Sequence, residues 1–425
     1  MIKPVIYAGQ SAEELFGARE EITSNVEEKV KEIIAEVRAR GDAALKDYAK
    51  KFDGYTGESL EVQDIEYEEA FSSLSCEFVQ TLQNCIENIK KFHEMQKRSG
   101  FEIDDGDRIV GQKVLPVARA GIYVPGGTAA YPSTVLMNAI PAKIAGVEEV
   151  IMCTPVKADG KVRAEVLAAA RLCGVDRVFK IGGAQAIAAL AYGTESVPKV
   201  DKITGPGRDF VATAKKLVYG VACGIDMIAG PSEILVLADG GANPKFVAAD
   251  LLSQAEHDVL ASALLVTDSA ALAEKVIKEL YIQLDKLPRK EVALASIENN
   301  CKVIVAESLD IAVELANAYA PEHLELCVER PFELLEKVKN AGSVFMGYDT
   351  PEALGDYYAG ANHTLPTSGT ARFSSPLSVE DFVKTTQYVY YKKSALENAA
   401  DDVMSFAEAE GLSAHARSVG VRVKK

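Results

Sequence analysis

The chain reads as an α/β protein built on parallel sheets. From Val117 onward, short β-branched runs that end in glycine alternate with alanine-rich helical stretches, as in "RAGIYVPGG", "STVLMNAIPAKIAGVEEVIMCTP" and "SEILVLADGGA". Such alternation is the mark of parallel strands joined by crossover helices. A hydrophobic content of 48% with 25% charged residues is that of a well-packed globular protein. At 425 residues the chain exceeds one ordinary core, so two or more domains are expected.

Taken in order, residues 1 to about 100 read as helices. "SAEELFGAREEITSNVEEKVKEIIAEVRARGDAALKDYAKKFDG" has apolar residues at i, i+3 and i+4 against a densely charged face. His93, in "KKFHEMQKRSG", has lysines around it and reads as a solvated helix position. Two α/β blocks follow, at about 120–235 and 240–350, alike in texture but sharing no fixed period. Beyond 376 the pattern returns to helix, and "SALENAADDVMSFAEAEGLSAHARSVG" forms a terminal amphipathic tail suited to docking on its own body or on a partner subunit.

Forty-six basic against 62 acidic residues leave a net charge of −16. That field repels nucleic acid and anionic membrane, so a small neutral or cationic substrate is expected. Seven scattered cysteines without a C-x-x-C pair argue against a disulfide framework or a thiolate zinc site and fit a reduced cytoplasm. The start, "MIKPVIYAGQSAEELF", has no basic region before a long apolar run. No apolar stretch approaches the roughly 20 residues that span a bilayer. A soluble, cytoplasmic protein is the expectation.

Three glycine-rich turns stand where a strand should feed a helix: "IYVPGGTAAYPST" (122–134), "FKIGGAQAIAALAYG" (179–193) and "ITGPGRDFVATAKK" (203–216). Glycine there lets a ligand approach the backbone, and the free amides of the following helix attract phosphate. None is G-x-G-x-x-G with an acidic residue about 20 positions on, so the standard dinucleotide fingerprint is absent. Each glycine pair alone is as well explained by a tight turn; three within a hundred residues favour a nucleotide site.

The chain has only five histidines, and four stand beside carboxylates or amides in unusual polar segments. In "LLSQAEHD", Asp250, Gln254 and His257 fall at i, i+4 and i+7 on one helix face. Glu322 and His323, in "APEHLEL", fall on a helix-to-strand loop, where catalytic groups concentrate. His363 and Asp356 share the loop "GDYYAGANHTLPTSG", and His415 follows Glu410 by five residues in the tail. Nitrogen and oxygen ligands without thiolates suit zinc or another divalent ion at an open, catalytic site. Spacing alone leaves open which of Gln254, Glu256, Asp356 and Glu410 are ligands. Chemistry favours Glu256 over an amide, whereas helical geometry turns Glu256 away from His257.

Together, "AGIYVPGG", "GGAQAIAALAYGTESVPKVDKITGPG", "AGPSEILVLAD", "DLLSQAEHD", "APEHLEL", "GDYYAGANHTLPTSGTARF" and the tail histidine resemble the histidinol dehydrogenases over nearly the whole chain. The resemblance implies oxidation of L-histidinol to L-histidine through the aldehyde, using two NAD and one zinc per site. It implies zinc ligands Gln254, His257, Asp356 and His415, an acid–base pair Glu322 and His323, and NAD contacts Tyr123 and Gln185. Ser232, His363 and Glu410 match substrate-contacting positions, alongside His323 and the four ligands. Two incomplete Rossmann-like domains, one inserted in the other, with small helical terminal segments, are implied as the architecture. The corresponding boundaries are 1–20 for the N-terminal helical segment, 21–122 with 235–377 for the first α/β domain, 123–234 for the NAD-binding domain, and 378–425 for the C-terminal tail. A homodimer whose tail residues complete the neighbouring site is implied as well.

Arg208 departs from the family, which usually has asparagine after "GPG", and it is not carried over as an NAD contact; "HDVLAS" also lacks the proline often seen nearby. Two rivals remain on the residues alone. A zinc hydrolase would use Glu322 as base toward metal-bound water with structural glycine turns. A non-catalytic binding module would be expected to have lost Glu322 or His323, and both are present.

Overall fold

The computed structural model describes residues 2–17, 26–126 and 130–423, so residues 127–129 of the first glycine turn lie outside the described residues. The chain divides into two compact units: residues 1–96 with 117–382, and residues 97–116 with 383–425.

In chain order the strands begin with β1 (Val5–Ile6), β2 (Phe101–Asp104) and β3 (Arg108–Pro116). Next come β4 (Arg119–Tyr123), β5 (Glu149–Cys153), β6 (Arg177–Phe179), β7 (Lys202–Thr204) and β8 (Gly224–Ile225). Then follow β9 (Glu233–Ala238), β10 (Ser262–Thr267), β11 (Lys302–Val305), β12 (His323–Cys327), β13 (Ser343–Met346) and finally β14 (Val383–Tyr391).

The first unit holds two parallel sheets, in the orders β1-β11-β10-β9-β12-β13 and β6-β5-β4-β7-β8. The α/β fold class with parallel sheets is therefore as the alternation indicates. In the six-stranded sheet β9 is buried along its whole length, which is why "EILVLA" is a continuous apolar run and not an alternating one. Successive side chains of β9 still point to opposite faces. Ile234, Val236 and Ala238 pack under helices Pro244–Ala255, Ala270–Leu284 and Lys290–Asn300. Leu235 and Leu237 pack under helix Leu309–Tyr319. In the five-stranded sheet, β4, β5 and β6 share one core with the four crossover helices and with the N-terminal helices Glu27–Arg40 and Cys76–Glu94. Each glycine turn leads from a strand into a helix, Pro132–Ala145 after β4, Gly183–Tyr192 after β6 and Asp209–Val218 after β7.

Three expectations are corrected. The first hundred residues are not all helical: Val5–Ile6 is a strand edge paired with Ile304–Val305, too short to carry a pattern of its own. Beyond residue 376 a strand precedes the helices. In the second unit β14 pairs antiparallel with β3, which pairs with β2, and only then come helices Lys393–Ala409 and Ser413–Val423. His93 is not solvated. It is 0% exposed, its Nδ1–H donates to the Ile89 carbonyl at 2.9 Å, and its Nε2 accepts from Asn362 at 3.2 Å. Both ring nitrogens are satisfied, so His93 is a core histidine.

No helix among the described residues is long and apolar enough to cross a membrane.

Candidate active site

The site is built where β9 and β12 begin. Helix Leu309–Tyr319 ends on Ala320, whose φ of 53° is left-handed, and Pro321 prevents its continuation. The chain then enters β12 at His323, with Glu322 at the last loop position. Gly342 makes this possible: its N–H donates to the Pro321 carbonyl at 3.0 Å, and a Cβ there would overlap the Glu322 carbonyl oxygen. Glu322 is 7% exposed and His323 4% exposed. The Glu322 Oε2 accepts the Glu233 N–H at 2.9 Å and lies 3.7 Å from His323 Nδ1.

The His323 ring is held in one tautomer. Its Nδ1 lies 3.0 Å from the Glu233 carbonyl, a group that only accepts, so Nδ1 carries the proton. In the neutral ring Nε2 is thereby left as the lone-pair nitrogen. It is buried and has no hydrogen-bond partner among the described residues. Glu352 Oε1 and Asp356 Oδ1 each stand 3.8 Å from it. Both come from helix Glu352–Tyr357, where a spacing of four puts them on one face.

Three carboxyl groups around one imidazole shift one another. Burial pushes Glu322 up to about 8 and Glu352 up to about 7, with the His323 charge opposing in both cases. For His323 burial works downward, but Glu352, Glu322 and Asp356 outweigh it and raise the imidazole well above its ordinary value. Burial likewise pushes Asp356 up, yet His323 and the nearby imidazoles of His363 and His257 hold it below the usual range. The pocket thus recruits positive charge. A bound cation would supply what the proton otherwise does, and oxygen and imidazole donors are the ligands that zinc accepts.

The remaining candidates are arranged as follows. Gln254, 1% exposed, closes the last turn of helix Pro244–Ala255. Its amide is satisfied when Nε2 donates to Glu352 at 2.6 and 3.2 Å and Oε1 accepts the Glu233 N–H at 3.0 Å. His257 stands just past that helix and is exposed, so it does not extend the helical face as its spacing suggested. Its Nδ1–H donates to the Ser253 carbonyl at 2.9 Å, and that of His363 to the Asp356 carbonyl at 3.1 Å. His257, His323 and His363 are therefore all turned so that Nε2 is the available nitrogen, as histidines that serve a ligand are. Ser232, half-buried, immediately precedes β9. Glu410 and His415 belong to the second unit, where both are exposed.

Tyr123, the last residue of β4, is buried and its hydroxyl accepts the Gly183 N–H at 3.0 Å, tying the first glycine turn to the second. Gln185, also buried, lies in the first turn of the helix that starts at Gly183. The third turn reaches the metal-ligand candidates through Arg208, which pairs with Asp258, the neighbour of His257. Asn362, next to His363, donates to the Met137 carbonyl at 2.7 Å on the helix that follows the first turn.

Reading the sequence missed two carboxylates. Glu352 stands four residues before Asp356, a spacing visible in "TPEALGDYY". Glu325 stands two residues after His323, on the same face of β12. It accepts the Glu352 N–H at 2.8 Å, and burial beside Asp250 raises it well above the usual carboxylate range, as burial pushes Asp250 up to about 6.

A sequence model described as histidinol dehydrogenase matches residues 17–423. The chain is 55% identical to a histidinol dehydrogenase of Streptococcus mutans, over 94% of this chain and 93% of that one. It is 54% identical to one of Geobacter sulfurreducens, over 95% of each. A crystal structure of histidinol dehydrogenase from Elizabethkingia anophelis superposes with a TM-score of 0.95 at 37% identity, covering 99% of this chain and 98% of that one. On that match over nearly the whole chain and those identities, the chain belongs to the histidinol dehydrogenase family.

Proposed function

We propose that the chain is an NAD-dependent dehydrogenase that oxidises L-histidinol to L-histidine through L-histidinaldehyde, with one zinc per subunit. The observation that carries this reading is His323 Nε2: a buried nitrogen with no hydrogen-bond partner among the described residues, the lone-pair position of the neutral ring because Nδ1–H is given to the Glu233 carbonyl, with Glu322 beside it. Gln254, His257, Asp356 and His415 would hold the zinc. Ser232, His363 and Glu410 would contact the substrate along with His323 and those ligands. Tyr123 and Gln185 would contact NAD within residues 123–234. When bound, zinc fixes the substrate's amine and imidazole, and NAD accepts each hydride.

The chain's own groups then divide the proton work. His323 Nε2 takes the carbinol proton in the first oxidation. The aldehyde has no hydroxyl proton to give, so water must add before the second oxidation. As that water adds, Glu322 takes its proton and the protonated His323 returns its own to the carbonyl oxygen, so Nε2 is free again to take a hydroxyl proton of the hydrate in the second oxidation. Glu322 suits this role because the Glu233 N–H fixes one of its oxygens while burial keeps bulk water out.

His415 ties this reading to the tail and, in a homodimer, to the neighbouring subunit's site. His415→Ala is expected to lower zinc affinity by roughly 10- to 100-fold, read as zinc per chain after dialysis against a graded chelator. Normal zinc content in that variant would remove the tail from the metal site. Under the hydrolase alternative, zinc-loaded protein would turn over a substrate without any nicotinamide.

A further inference from the structure

The five-stranded sheet reverses its winding beside β4. The chain steps from β4 through β5 to β6 in one direction, then returns to place β7 and β8 on the other side of β4. In open α/β sheets ligands lodge outside the carboxyl ends of the strands at such a reversal. Here that place is bounded by Tyr123 at the end of β4 and by the turn that follows Thr204 at the end of β7.

Gly205 is the tightest point of the turn. Its φ is +111°, and a Cβ on it would overlap the Tyr123 carbonyl oxygen, so the two strand ends meet backbone to backbone. Beyond the end of β7, its peptide groups need partners other than the ladder. Two side chains supply them. The Gly205 N–H donates to Asp226 Oδ2 at 2.8 Å, and its carbonyl accepts from Lys215 Nζ at 2.8 Å. Lys215 and Asp226 also pair directly, with side chains only 2% and 1% exposed. Burying two charges is costly, and an apolar pair of similar size commonly does as well for stability. An apolar pair could not, however, hold both polar groups of Gly205. Lys215 comes from the helix after the turn and Asp226 from the residue after β8, so the pair clamps the turn from two elements.

We propose that Lys215 and Asp226 are positioning residues for the dinucleotide: they fix the Gly205 turn in the shape that receives it beside Tyr123, without touching it. This rests on the NAD reading given to Tyr123 and Gln185. Neither residue belongs to the Glu322–His323 cluster, so its loss acts on NAD affinity and not on proton transfer.

The test uses the zinc-loaded full chain carrying Lys215→Met together with Asp226→Asn. Removing both charges leaves no uncompensated buried ion, while the Gly205 carbonyl loses its donor. The NADH dissociation constant, read by nicotinamide fluorescence, and the KM for NAD are expected to rise about tenfold as a preorganised site is lost. The kcat at saturating NAD and the zinc content stay near wild type. A folded double variant with wild-type NADH affinity, whatever its Tm, overturns the proposal. Should that double variant not fold, Lys215→Leu with Asp226→Asn, which likewise leaves no buried charge, is read in its place; a rise of about threefold or more supports the clamp, and no rise overturns it. Gln185→Ala is measured alongside. If it leaves NADH binding unchanged, the NAD reading of the crevice falls; if it weakens binding and the clamp variant does not, only the clamp falls.

Discussion

His323→Ala is expected to lower the overall oxidation by roughly three orders of magnitude, the usual worth of a positioned general base, while zinc stays bound. The expectation follows from the ring's surroundings. One nitrogen is committed to the Glu233 carbonyl, so the other is the only one able to take a proton from substrate. The carboxylates at 3.8 Å stand beside that nitrogen without occupying it. Metal analysis of the purified variant, beside its steady-state rate, checks both halves. Loss of zinc in the variant would place His323 among the ligands and remove its role as base.

Glu322→Gln is expected to separate the two oxidations. Supplied with L-histidinaldehyde, the variant should be slowed by roughly 100-fold, because its amide cannot take a proton from water. The first oxidation, read as a single turnover of L-histidinol, should change only a few-fold. Burial pushes Glu322 up to about 8, so the carboxylate that acts as base becomes the majority form only above that pH. The wild-type aldehyde rate should therefore rise with pH through about 8, and this limb should vanish in the glutamine variant. Equal damage to both steps, or a surviving limb, would remove Glu322 from water activation.

Much of the fold was legible because burial writes itself into composition. Strands covered on both faces, such as β9 and β10, need continuous apolar runs, and each glycine turn marks a strand handing over to a helix. What escaped was either too short or masked by its neighbours. β1 has two residues and gains its meaning only from β11. β14, "VKTTQYVYY", is rich in threonine, valine and tyrosine as strands are, but the stronger helical pattern from Lys393 onward overrode it.

The site was legible through its histidines, and there the instructive residue is His93. It lies four residues after Ile89 and seven after Ile86, on the buried stripe of its helix, and that stripe outweighs the neighbouring lysines. The carboxylates were harder to read, because an acidic residue on a surface helix and one aimed into a core look alike until the core is known. Glu352 and Glu325 are both 3% exposed, and both work through neighbours that the sequence did flag, Gln254 and Asp250.

The decisive experiment is to count NADH formed per L-histidinol consumed, on zinc-loaded and on chelator-stripped protein. A ratio of about two is expected, the count set by one alcohol and one aldehyde oxidation, which disappears with the metal and returns on adding zinc. A ratio near one would contradict the second oxidation and with it the role of Glu322, and no NADH from folded, zinc-loaded protein would contradict the dehydrogenase reading itself.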